Sequence, residues 1–118
     1  MKFYQCSHCG NIIYKVKDSK VAVHCCGEVM QELTANTVEA AVEKHIPVLN
    51  GNKVEVGSIP HPMTEEHFIE WIAVEYENAF SIFYLSSEDD PSIELTSTTG
   101  IKSIYAYCNL HGLWKMNE

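Results

Sequence analysis

From residue 52 onward the chain runs in short apolar stretches broken by turn residues, the pattern of strands that lay one face on a core. Residues 53–57 form one such run. Residues 68–76 and 79–85 are longer, rich in aromatic and β-branched side chains, with Glu77-Asn78 between them as a hairpin turn. Residues 92–98 and 102–108 flank a turn at Thr99-Gly100, and the acidic stretch 86–91 reads as a solvated loop. Strands this short and this regularly spaced predict an all-β sandwich or barrel. Before residue 52 the pattern is weaker. Residues 12–17 and 21–24 predict two short strands around the turn Asp18-Ser19-Lys20. The stretch TVEAAVEK at 37–44 suits either a short helix or an extended linker.

A chain of 118 residues allows one ordinary domain, or a modest domain with a very small one beside it. Two short strands bury too little apolar surface to fold alone, so a first unit over 1–36 needs a metal or disulfide staple. Residues 37–118 then make the larger unit. No apolar run approaches the roughly 20 residues of a membrane span. The start, MKFYQCSHCG, has no apolar segment of the secretory kind, which makes the cytoplasm the expected compartment. The net charge is −8, and all eight basic residues are Lys. That balance argues against a nucleic-acid partner, which needs a basic face. It also means that any anionic substrate requires a local positive patch.

Five cysteines in a cytosolic chain read as metal ligands before disulfides. Four of them, Cys6, Cys9, Cys25 and Cys26, lie at the ends of the predicted hairpin, spaced C-x2-C, fifteen residues, then C-C. Four thiolates make a tetrahedral sulfur site suited to zinc or iron. Zinc ribbons usually repeat C-x2-C on both sides. A vicinal pair strains a regular knuckle and would distort the tetrahedron. A vicinal disulfide would leave Cys6 and Cys9 unexplained. His8 and His24 lie close by, but four cysteines already fill the site, and both read as non-ligands.

Outside that unit every remaining His and the remaining Cys fall in three short segments: EKH at 43–45, HPMTEEH at 61–67 and CNLHG at 108–112. A single His is usually a surface or satisfied core residue. Four beside loop-forming Pro and Gly, with one Cys, point to a metal site. A four-coordinate His/Cys set with a water would suit zinc hydrolysis. Two His, one Cys and a weak axial Met63 or Met116 would suit blue copper. Neither uses all four His. A five-coordinate iron with four imidazoles in a plane and one axial thiolate uses every residue and keeps one open position.

These motifs, CxxC…CC followed by EKH, HPM…H and CNLHGLW, resemble the desulfoferrodoxins, the two-iron class of superoxide reductases, over nearly the whole chain. The resemblance implies a small desulforedoxin-like domain, then an immunoglobulin-like β-sandwich, in a homodimer. It implies two iron ions per chain: one held by Cys6, Cys9, Cys25 and Cys26 in a distorted tetrahedron, the other by His45, His61, His67 and His111 around an axial Cys108. It also implies a mobile Glu43-Lys44 pair at the open position, with Lys44 attracting superoxide and organising water, and Glu43 able to bind the resting ferric iron. The implied reaction is one-electron reduction of superoxide to hydrogen peroxide without release of dioxygen, the iron being re-reduced by a rubredoxin-like donor. Residues 86–100 fit the family pattern less closely, which bears on loop shape. From the residues alone, a two-iron electron carrier or storage module and a zinc-stapled protein-binding domain remain open.

Overall fold

The computed structural model describes residues 1–117. Its backbone contacts divide the chain into two compact units, Met1–Thr34 and the residues from Ala35 onward.

In the first unit, β1 (Phe3–Gln5), β2 (Ile12–Tyr14) and β5 (Gln31–Glu32) form an antiparallel sheet in the order β2-β1-β5. A separate hairpin joins β3 (His24–Cys25) to β4 (Glu28–Val29). The sequence pattern paired residues 12–17 with 21–24; instead β2 pairs with β1, and Val21 and Val23 stay exposed. The first knuckle explains the difference. Cys6 N–H bonds to the Asn11 carbonyl at 2.9 Å and Gly10 N–H to the Cys6 carbonyl at 3.1 Å, so the chain folds back on itself directly after β1. The buried side chains of this unit are Phe3, Cys6 and Met30, a core too small to hold 34 residues by apolar burial.

The second unit is a sandwich of two antiparallel sheets. One has the order β10-β7-β6, from β6 (Pro47–Asn50), β7 (Lys53–Val56) and β10 (Ser92–Glu94). The other has the order β12-β11-β8-β9, from β8 (Ile69–Tyr76), β9 (Phe80–Tyr84), β11 (Ile101–Cys108) and β12 (Gly112–Lys115). The core joins Val54 and Val56 of the first sheet to Ile72, Val74, Ile104, Ala106 and Cys108 of the second. Cys108 is thus a core position.

In the ambiguous stretch before residue 45, bends at Val38 and Ala40 lead to an extended Ala41 and then to one helical turn, α1 (Val42–His45). Pro47 stops it: the residue before a proline is driven out of the helical region, and Ile46 sits at φ −73°, ψ 121°.

Candidate metal centres

Three local structures deliver the histidine-rich cluster. α1 ends on His45. The connection between β7 and β8 carries His61 and His67. The hairpin between β11 and β12 carries Cys108 and His111, and it closes because Gly112, at φ +77°, takes the left-handed conformation that a three-residue hairpin loop requires.

The four imidazoles form a square. His45 lies 4.6 Å from His61 and 4.9 Å from His111, ring centroid to ring centroid. His67 lies 4.6 Å from His61 and 5.0 Å from His111, while His45 and His67 face each other at 6.3 Å. The nitrogens converge accordingly. His45 Nε2 is 3.2 Å from His61 Nε2 and 3.1 Å from His111 Nδ1. Two imidazole nitrogens at right angles on a metal at about 2.1 Å stand about 3 Å apart, so His61 and His111 are the lateral neighbours of His45. The Cys108 sulfur is 3.9 Å from His111 Nδ1 and within 4.8 Å of the donor atoms of the other three.

Two of the rings are oriented by their own hydrogen bonds. His45 Nδ1 bonds the Ala41 carbonyl at 2.7 Å, and His61 Nδ1 bonds the Pro62 carbonyl at 2.6 Å. A carbonyl accepts, so Nδ1 carries the proton and the Nε2 lone pair faces the cluster. Burial, the main cause, pushes His45 and His67 below the usual imidazole range and His61 down to about 4, which keeps these rings neutral at pH 7. Burial likewise pushes the Cys108 thiol up. His67 Nε2 is buried without a hydrogen-bond partner. Such an orphan costs roughly 1–3 kcal/mol unless something pairs with it, and a metal ion among these nitrogens fits it. A square over a thiolate is not the tetrahedral arrangement a hydrolytic zinc site needs. Nor is it a blue-copper set: Met63 accepts the Ile69 N–H at 3.4 Å, and Met63 and Met116 pack against the core.

Glu43 and Lys44 sit in the exposed turn that ends on His45. The Lys44 charge contributes to the depression of His45 and His67, so its field reaches the cluster. The Glu43 carboxylate is not among the clustered donors. The Glu43 carbonyl is held by Ile59 N–H at 2.9 Å and Ser58 Oγ–H at 3.3 Å. Gly57 lies against the same peptide. A side chain there would strike the Glu43 oxygen and stand 2.7 Å from the Lys44 carbonyl carbon.

In the first unit Cys6, Cys9, Cys25 and Cys26 also converge, their sulfurs within 4.8 Å of one another, and all are free thiols. Cys9 and Cys25 are 3.6 Å apart, close to the roughly 3.8 Å edge of a tetrahedron of metal–sulfur bonds. The vicinal pair reaches one centre because Cys26 takes φ +53°, a left-handed position costing about 1–2 kcal/mol that a bound metal would offset. Backbone N–H bonds, from Cys9 foremost, pull Cys6 down to about 6, while its shared bond with Cys9 leads the neighbours that push Cys26 up to about 12. Thiols that trade protons this way favour a cation that binds the thiolate form. Glu28 bridges the two knuckles, accepting from Ser7 Oγ at 3.2 Å and lying 3.6 Å from His8 Nε2. His8 and His24 point outside the sulfur cluster.

The family model described as desulfoferrodoxin matches residues 37–117. The chain belongs to the desulfoferrodoxin family. A desulfoferrodoxin homolog from Archaeoglobus fulgidus is 41% identical over 119 residues, covering 98% of this chain and 95% of that one. A desulfoferrodoxin from Syntrophotalea carbinolica is 42% identical over 118 residues, with 97% and 94% covered. The crystal structure of the superoxide reductase from Treponema pallidum superposes with a TM-score of 0.75 at 33% identity, covering 98% of both chains. The all-β architecture agrees with that structural likeness.

Three residues that shape the site carry no ligand atom and were given no role by spacing alone: Gly57, Asn109 and Trp114. The last two lie inside CNLHGLW, so the motif contained them, but their contacts arise only in the fold.

Proposed function

We propose that the chain is a superoxide reductase acting at the histidine–cysteine cluster of its second unit. The observation that carries this reading is the square of four imidazoles with Cys108 packed beside it, in a family whose solved member from Treponema pallidum is a superoxide reductase. Iron held by His45, His61, His67, His111 and Cys108 supplies, when bound, the single electron that superoxide takes up with two protons to become hydrogen peroxide.

The chain's residues handle the anion and the protons. Cys108 is fully buried, so its side of the square is core, and a small anion has the opposite side. The Nδ1 protons of His45 and His61 are committed to carbonyls and unavailable to substrate. Protons therefore come from solvent, organised at the open side by Lys44, whose charge also draws superoxide toward an otherwise acidic protein. Glu43, its neighbour in the same exposed turn, would offer a carboxylate to the metal when it is bound.

The reading extends to a second iron held by Cys6, Cys9, Cys25 and Cys26 in a desulforedoxin-like first domain. It includes a rubredoxin-like donor, a homodimer, and the cytoplasm, where five free thiols persist. No helix among the described residues is long and apolar enough to cross a membrane.

Pulse radiolysis of the reduced protein tests the activity. Peroxide should appear in step with superoxide consumed, without dioxygen. Dioxygen evolution, or superoxide decay no faster than in buffer, overturns it.

A further inference from the structure

The four imidazoles are not held alike. The His45 ring is bonded through Nδ1 to Ala41 and stacked on Trp114 with centroids 4.7 Å apart. The His61 ring is bonded through Nδ1 to Pro62. The His67 ring has no such anchor, and its Nε2 is buried without a partner. The His67 backbone closes only on its own turn: its N–H lies 3.2 Å from the Thr64 carbonyl and 3.1 Å from Thr64 Oγ1, and its carbonyl accepts from Thr64 N–H at 2.9 Å. These bonds shape the loop but do not tie it to the sheet.

Asn109 makes that tie. Its Nδ2 donates to the Glu66 carbonyl at 2.9 Å, and its Oδ1 accepts the Phe68 N–H at 2.9 Å. Its backbone N–H donates to the Phe68 carbonyl at 3.2 Å. The two side-chain bonds grip the chain on either side of His67. Asn109 follows Cys108 directly and precedes His111 by two, so the grip joins the His67 segment to the hairpin that carries Cys108 and His111. It also follows directly on the register shift of the β8–β11 ladder between Tyr107 and Cys108, at the end of the regular pairing.

We propose that Asn109 is the positioning residue that holds His67 in the metal-binding square. A carboxamide is suited to this. It offers a donor and an acceptor on one short, planar group. An aspartate would repel the Glu66 carbonyl, and a serine would reach one partner at most. The ring itself is left free of hydrogen bonds and is aimed through its flanking peptides. Partners that orient a ligand in this way typically contribute 10- to 100-fold in metal affinity (about the range seen when they are removed).

The proposal rests on the reading that His67 is a metal donor, and the test separates the two. Metal-free Asn109→Ala, His67→Ala and the double variant are titrated with cobalt(II), with the ligand-field spectrum and the rate of release to a chelator as readouts. Asn109→Ala should release the second-site cobalt about tenfold faster and shift its ligand-field bands. Release from the four-cysteine site should be unchanged. In the His67→Ala background the same substitution should add less than about twofold. Release from Asn109→Ala at the parent rate, or effects that multiply in the double variant, overturn the positioning role alone. Parent-like spectra and release for His67→Ala overturn the donor reading with it. Asn109→Asp, which keeps the bond to Phe68 N–H, carries the same comparison should Asn109→Ala fail to fold.

Discussion

The indole of Trp114 lies against the imidazole of His45, centroids 4.7 Å apart and planes inclined by 27°. The same indole donates its N–H to the His111 carbonyl at 3.1 Å. One buried side chain thus backs a donor from α1 and a donor from the β11–β12 hairpin. Trp114→Ala should lose about 3–5 kcal/mol of stability, the usual cost of deleting a buried aromatic, measured by urea unfolding of the metal-free protein. Trp114→Phe, which keeps a ring on His45 and gives up one hydrogen bond, should lose about 1 kcal/mol. Equal losses for the two would show that the hydrogen bond dominates.

Gly57 is a close-approach glycine. A methyl group there meets the Glu43 carbonyl and the Lys44 backbone, so Gly57→Ala must push the turn that presents Glu43, Lys44 and His45. The expected cost is about 1–3 kcal/mol in stability, with slower superoxide capture. Parent-like kinetics in pulse radiolysis would show that the turn gives way without moving the side chains.

Lys44 contributes positive charge near the cluster. Lys44→Ala should slow superoxide capture roughly tenfold at low salt, the lower end of what steering contributes, and flatten its dependence on ionic strength. An unchanged second-order rate would remove Lys44 from the capture step.

Acid should destabilise the metal-free second unit through its imidazoles. His61 is depressed from 6.5 to about 4 by burial. Between those values the unfolded chain binds a proton that the folded chain refuses, so stability rises as pH rises from 4 to 6.5 and levels off above. His45 and His67, shifted the same way, add to the slope. Urea midpoints across that window should climb with pH, and His61→Asn should flatten the curve.

Removing metal should affect the units differently. Met1–Thr34 buries only Phe3, Cys6 and Met30 as apolar core, whereas the sandwich has a core running through both sheets. After chelation, amide exchange in β1–β5 should become fast while β8 and β11 stay protected. Persistent protection in β1–β5 would show that the small unit does not need its metal to fold.

Much of the second unit was legible in the chain. Residues 68–76 and 102–108 are rich enough in aromatic and β-branched side chains to read as strands, and they are β8 and β11 within a residue or so at each end. The first unit was less legible. Residues 21–23 look like a strand because they are Val-Ala-Val, yet they remain outside the ladders, since β1 takes β2 as its partner and the knuckle, not apolar pairing, decides the register. The short helix at Val42–His45 was undecidable from propensity, because a single turn is set by its surroundings: Pro47 beyond it and the Gly57–Ile59 contacts on Glu43.

The residue types and their local spacing already pointed to metal binding. Nine His and Cys donors in short, turn-forming segments have few uses other than metal binding, and such preferences act over a few residues. Only the tertiary structure decided the square itself: which imidazoles are neighbours, that Cys108 is a core residue beside them, and that Trp114, Asn109 and Gly57 contact the segments carrying them. Those relations join residues far apart in the chain, such as His45 and His111, which are 66 positions apart, and depend on contacts that exist only once the two sheets have packed.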